Sequence, residues 1–140
     1  TQKILGRLAG GGVEPHPVTV SAGTTRVPVI NGHTELVTVS LEAAPPVDEV
    51  VAAIREFRGR PQELGLPGAP PRPVLYMDEE DRPQPRLDAD RGGGMAVCVG
   101  RLRPCPVLGY KLVAMGHNTV RGAAGAAVLN AELLKATGRL

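Results

Sequence analysis

Two side chains in this 140-residue chain are of types suited to handling a small acid: Arg26 and His33. Arginine presents a planar fork that matches a carboxylate with two parallel hydrogen bonds. Histidine titrates near neutrality and can give or take a proton. Between them lies Asn31-Gly32, and Asn-Gly flanked by strand-like runs is the strongest short hairpin signal a sequence carries. A two-residue loop there would set Ile30 opposite His33 and Arg26 opposite Val37. His33 and Val37 are four apart, so Arg26 and His33 would project from one face. Their backbones would stand roughly 13 Å apart at ~3.3 Å per residue, a gap that a long arginine closes in part. A surface arginine and a histidine beside a turn is the plainer reading of the same residues.

Other chemistry is weakly signalled. His16, His33 and His117 are far apart, and Cys98 and Cys105 are separated more widely than a structural zinc pair, so no metal site is expected. Neither cysteine has an activating base beside it in sequence. Cys98 reads as a strand residue of the core, and Cys105, between Pro104 and Pro106, as a loop residue. The glycine clusters at 10–12, at 92–94, and at Gly122 with Gly125 fit neither a dinucleotide fingerprint nor a Walker loop, which leaves turns or close packing. The small-residue run 122–127 makes a smooth helix face, suited to docking another domain or subunit or to a tight core contact.

The elements that must position these groups follow from periodicity. Residues 1–8 read as the tail of a helix, with Ile4, Leu5 and Leu8 on one face and Gly10 to Gly12 as its stop. Strand patterns occupy 17–21, 26–30 and 35–41, the last alternating Val37, Val39 and Leu41 against Leu36, Thr38 and Ser40. After Pro45-Pro46, the spacing of Val47, Val50, Val51 and Ile54 predicts a helix, with Asp48 and Glu49 in its first turn and Gly59 as a stop. Residues 59–94 are rich in proline and hold one plausible strand at 74–77; such a stretch is a functional loop, an insertion or partly disordered. Strands are predicted at 95–102 and 108–115, and the longest helix at 119–136, with Asn118 as its N-cap. This order predicts an α+β fold in one domain over 1–140: a mixed, largely antiparallel sheet covered by helices on one face, and not an alternating cofactor-binding βαβ architecture.

Composition narrows the function classes. The chain is 42% hydrophobic and 21% charged, in keeping with a single cored domain. A net charge of +2 with scattered basic residues, and only two Tyr, one Phe and no Trp, argue against nucleic-acid binding. No run approaches the ~20 apolar residues of a membrane span, and no secretory signal opens the chain. Two cysteines fit a reducing cytoplasm better than a disulfide scaffold.

At the arginine and histidine the sequence resembles a known family. Arg26-Val27-Pro28-Val29-Ile30-Asn31-Gly32-His33-Thr34-Glu35 is similar to the R-V-P-V-x-x-G-H-[ST]-E segment of aspartate-semialdehyde dehydrogenases. Further resemblances follow in the same order: Pro83-Gln84-Pro85-Arg86-Leu87-Asp88 to P-x-P-x-D, Val99-Gly100-Arg101-Leu102-Arg103 to V-G-R-[IL]-R, and His117-Asn118-Thr119-Val120-Arg121-Gly122-Ala123-Ala124 to D-N-L-R-K-G-A-A. Thr1-Gln2-Lys3-Ile4-Leu5 resembles the family's T-x-K-I-[LM] helix end. His117 stands where the family has Asp, and the family's Lys after Arg121 is absent.

The resemblance implies an NADP-dependent reduction of β-aspartyl phosphate to aspartate semialdehyde through a cysteine thioester, in aspartate-family amino-acid biosynthesis. It assigns the substrate carboxylate to Arg26, general acid/base chemistry to His33, and a place near the nicotinamide to Asn118. The family's nucleotide-binding domain, nucleophilic cysteine and phosphate-binding Glu and Lys would all precede Thr1. On this reading the chain is the C-terminal substrate and dimerisation part, of the glyceraldehyde-3-phosphate-dehydrogenase type. It would form a homodimer, rely on the N-terminal domain for most of the NADP contacts, and be inactive alone. The alternatives are a non-catalytic dimerisation or regulatory module of the same fold, and a related acyl-phosphate reductase such as the N-acetylglutamyl-phosphate enzyme.

Overall fold

The computed structural model describes all 140 residues. A hairpin opens the chain, β1 (Arg7–Ala9) against β2 (Gly12–Glu14), followed by an extended segment and β3 (His33–Val39). Then come α1 (Val47–Glu56), α2 (Arg60–Glu63), β4 (Val74–Met77), α3 (Pro85–Asp88), β5 (Val97–Cys105) and β6 (Gly109–Gly116). A wide π-helical turn, Val120–Ala124, leads into α4 (Gly125–Ala136). The main sheet has the order β3-β6-β5-β4; β6 is antiparallel to both neighbours and β4 is parallel to β5. This is the mixed, largely antiparallel sheet expected of the sequence. No helix is long and apolar enough to cross a membrane.

Register assigns the sheet's two faces. Leu75, Cys98, Met115 and Thr34 stand in one row, with Met77, Gly100, Val113 and Leu36 in the next row of the same face. Met77, Ala89, Cys98 and Met115 form a buried cluster there, closed by the segment that carries α3. Burial pushes the Cys98 thiol up to about 11, as befits a core residue. α1 covers the opposite face, where the Arg55 guanidinium lies 5.2 Å from the Tyr76 ring centre. A second small core joins Leu66, Met95 and Leu129 under α4.

The segment 59–94 is built around a single carboxylate rather than a hydrophobic centre. Asp88 is fully buried. It accepts hydrogen bonds from Arg82, through Nε at 2.7 Å and a second guanidinium nitrogen, and from the Gln84 N–H at 2.8 Å. The Arg91 Nε, at 3.4 Å, is a weaker third partner. A buried charge persists only when paired and hydrogen-bonded in this way. At Gly100 the Arg82 carbonyl would stand 2.5 Å from any β-carbon, so glycine is what lets this segment lie flat on β5.

Four local expectations are overturned. Residues 1–8 are not a helix end: one turn, closed by the Leu5 N–H on the Thr1 carbonyl at 3.0 Å, runs into β1. Gly10 and Gly11 both have positive φ, +57° and +85°, which makes them the two central residues of a hairpin loop rather than a helix stop. Residues 17–21 and 26–30 form no strand. The Asn31-Gly32 hairpin is absent for a related reason. A type I′ loop needs φ > 0 at both positions, and only Gly32 has it, at +110°. Pro28 removes a ladder donor from the would-be partner strand, and β6 takes β3 instead. Cys105, expected in a loop, is the buried last residue of β5 opposite Gly109, and the Leu108 and Val107 N–H groups draw its pKa below the usual thiol range.

Candidate functional site

The site is a corner of the sheet where β3 begins and β6 ends. His33 opens β3 in register with Gly116, the last residue of β6, and its side chain is exposed. The chain just before it is held on two sides. The Gly32 N–H donates to Asn118 Oδ1 at 3.0 Å, a bond between residues 86 apart in sequence. The Gly32 α-carbon faces Pro85 and Met115: a β-carbon there would lie 3.1 Å from Pro85 Cβ and 3.3 Å from Met115 Sδ. Positive φ and this close approach both require glycine.

Asn118 therefore reaches this corner, but it is not the N-cap of the last helix. That task falls to His117, whose Nδ1 accepts from the Thr119 and Val120 N–H groups, each at 3.2 Å. An accepting Nδ1 carries no proton, so the neutral ring has its hydrogen on Nε2, which lies 3.6 Å from Asp90 Oδ1. Histidine thus satisfies orphan helix donors in the way an aspartate would at this position. Replacing His117 by alanine should cost about 1 kcal/mol of stability, and His117→Asp should recover most of it. Chemical denaturation of the two variants checks this.

Arg26 is exposed in the extended segment before β3 and makes no hydrogen bond or ion pair within the chain. The hairpin that was to set it on the His33 face does not form, so the sheet brings together His33 and Asn118 but leaves Arg26 unplaced by any strand pairing. The Gly/Ala run resolves in part as a core contact: Gly125 packs against the Met95 sulfur and Val120, while Gly122, Ala123 and Ala124 lie beside it. Ala123, Ala124 and Ala127 stay exposed. Pro85 and Asp88 lie in the Pro83–Asp88 motif, but the motif by itself gives neither of them a supporting role at the site. The signal that could have found them is the motif itself, an acid set among prolines.

The chain matches the family described as semialdehyde dehydrogenase, dimerisation domain, over residues 1–121. It is 54% identical to an aspartate-semialdehyde dehydrogenase of Methanothermobacter thermautotrophicus over 136 residues, covering 96% of this chain and 39% of that protein. Against the enzyme of the same name from Saccharomyces cerevisiae it is 41% identical, covering 97% and 39%. The structure superposes on the aspartate semialdehyde dehydrogenase of Candida albicans solved with NADP, at a TM-score of 0.91 and 42% identity, over 99% of this chain and 41% of that one. An aspartate semialdehyde dehydrogenase II of Vibrio cholerae gives 0.61 at 31% identity. The chain thus spans about two-fifths of the length of the curated relatives it matches. With its ordered motifs, mixed sheet and clamped Gly32-His33 corner on the same footing, the chain belongs to the semialdehyde dehydrogenase dimerisation-domain family.

Proposed function

We propose that residues 1–140 act as the C-terminal substrate and dimerisation domain of an NADP-dependent aspartate-semialdehyde dehydrogenase. The observation that carries this reading is the corner itself: β3 pairing and the Gly32–Asn118 bond present His33 at an exposed, glycine-fixed strand start. In this role Arg26 grips the carboxylate of a small amino-acid substrate with its guanidinium fork. His33 gives a proton to the carbonyl oxygen as negative charge gathers there and takes it back in the reverse direction.

The residues of this chain do not fit the phosphates of a dinucleotide. β6 does run into a helix, but the N–H groups at that helix start are already held by His117 Nδ1. The Asn118 side-chain oxygen is committed to Gly32, which leaves its NH2 group as a candidate contact for a nicotinamide. Most of the cofactor contacts, and the nucleophilic thiol, then fall to another part of the enzyme; Cys98 is buried and its thiol is held protonated at neutral pH.

A homodimer is supported by the apolar surface left open. Only 21 of 140 residues are buried, while Ile4, Leu36 and Ile30 are 87%, 84% and 95% exposed. Surface of this kind is normally covered by a neighbour. The two free thiols support a cytoplasmic setting. The test is phosphate-dependent reduction of NADP by the full-length enzyme, with aspartate semialdehyde and N-acetylglutamate semialdehyde as rival substrates. Turnover of the first alone is the expected result. Turnover of the second alone would assign the related reductase, and turnover of neither by an intact dimer would make this a non-catalytic module.

A further inference from the structure

We propose that Asn118 is a positioning residue for His33, acting through its side-chain oxygen rather than through its NH2 group. The proposal rests on His33 being the acid/base of the preceding section. A backbone N–H can pair only with the amide oxygen, so the contact with Gly32 at 3.0 Å also settles which way the Asn118 amide is turned. Gly32 is buried, with φ +110°. Its α-carbon packs against Pro85 and Met115, and the Asn118 oxygen is the partner that satisfies its buried N–H.

The clamp has a consequence for catalysis. His33 is the residue directly after Gly32, and its own side chain is exposed, without a hydrogen bond to hold it. Its direction is set by the backbone that leads into it. That backbone is anchored by the β3–β6 ladder on one side and by Asn118 on the other. Asn118 is anchored in turn, because the adjacent His117 is buried and bonded to the first turn of the last helix. A base displaced by about 1 Å loses up to a hundredfold in rate, so an acceptor two positions beyond the end of β6 can govern a proton transfer that it does not touch.

The two halves of the Asn118 amide make different predictions. In the full-length dehydrogenase, N118A removes both the oxygen and the NH2, whereas N118D keeps an acceptor and removes the donor. Three readouts are needed: kcat at the plateau of the pH profile, KM for NADP, and hydrogen exchange at the Gly32 amide. N118A should lower kcat about tenfold or more, with a smaller change in KM, and should speed Gly32 exchange about fivefold or more. N118D should restore protection at Gly32 and recover most of the lost kcat. N118L, close in size and without an acceptor, reads the same loss should N118A be unstable.

An N118D enzyme as impaired as N118A, with the loss in KM for NADP, would overturn the proposal and make the NH2 group the working half. Unchanged Gly32 exchange in both N118A and N118L would overturn it on structural grounds. Failure of the underlying reading looks different: H33A would then keep its activity, and the proposal would fall with it whatever Gly32 does.

Discussion

His33→Ala should lower kcat of the full-length enzyme about a hundred- to ten-thousandfold, the usual contribution of a positioned general acid/base. The reason lies in the surroundings of the residue. His33 is exposed at the start of β3 and its ring makes no hydrogen bond within the chain, so little stability depends on that ring. An exposed substitution of this kind shifts stability by about 0.5 kcal/mol or less. The denaturation midpoint should therefore stay put while the rate collapses. Arg26→Ala provides the contrast. A residue that grips substrate in ground state and transition state alike should raise KM for aspartate semialdehyde far more than it lowers kcat. Steady-state kinetics of both variants, beside their unfolding curves, check the pair. A His33→Ala enzyme with near-normal kcat would remove His33 from the chemistry.

Asp88→Asn should destabilise the fold by about 3 kcal/mol, the largest effect expected of any single substitution outside the site. The carboxylate is fully buried and holds Arg82, the Gln84 N–H and, more loosely, Arg91. Asparagine keeps the shape but leaves the Arg82 guanidinium without its counter-charge, and breaking a buried pair costs roughly 3–5 kcal/mol. The lower end applies because the Arg82 side chain keeps some access to water. The damage should also reach the site. Pro85, whose ring closes against Gly32, begins the short helix that ends at Asp88.

The same carboxylate sets an acid limit. Hydrogen bonds from Arg82, foremost, hold the Asp88 pKa below the ordinary aspartate value in the folded protein. A depressed folded pKa contributes stability that is fully present above the unfolded value, ~3.9, and is lost as pH falls from there through the folded value. The wild type should therefore lose stability below about pH 4 more steeply than Asp88→Asn, which has no such proton to take up. Denaturant unfolding of both proteins from pH 7 downward checks the sign. Equal slopes would mean that the buried pair adds nothing to the acid transition.

Much of the fold is legible in single segments. Alternation at 35–41 and the 3.6-residue spacing of Val47, Val50, Val51 and Ile54 find their strand and helix because each pattern is local and needs only one apolar face. The strands around Cys98 and Val113 and the last helix are found for the same reason, within a few residues at their ends. The proposed site roles rest on another route, ordered motif resemblance; geometry alone links His33 and Arg26 only through a hairpin that does not form.

Local patterning alone is enough for the elements with one-sided periodicity, the mixed α+β class, and the residue types able to do chemistry. Which strand meets which emerges only in the assembled fold. Asn31-Gly32 carries a strong turn signal, yet β3 pairs with a strand more than seventy residues away, because Pro28 cannot complete the near ladder and β6 can complete the far one. The same holds for Asn118, which reads as a helix cap but bonds to Gly32, leaving the cap to His117. It holds again for Asp88, whose burial in a proline-rich stretch depends on Arg82 folding back over it. Local pattern is set by neighbours in the chain, whereas a hydrogen-bonding edge or a buried charge takes whatever partner the whole fold brings within reach.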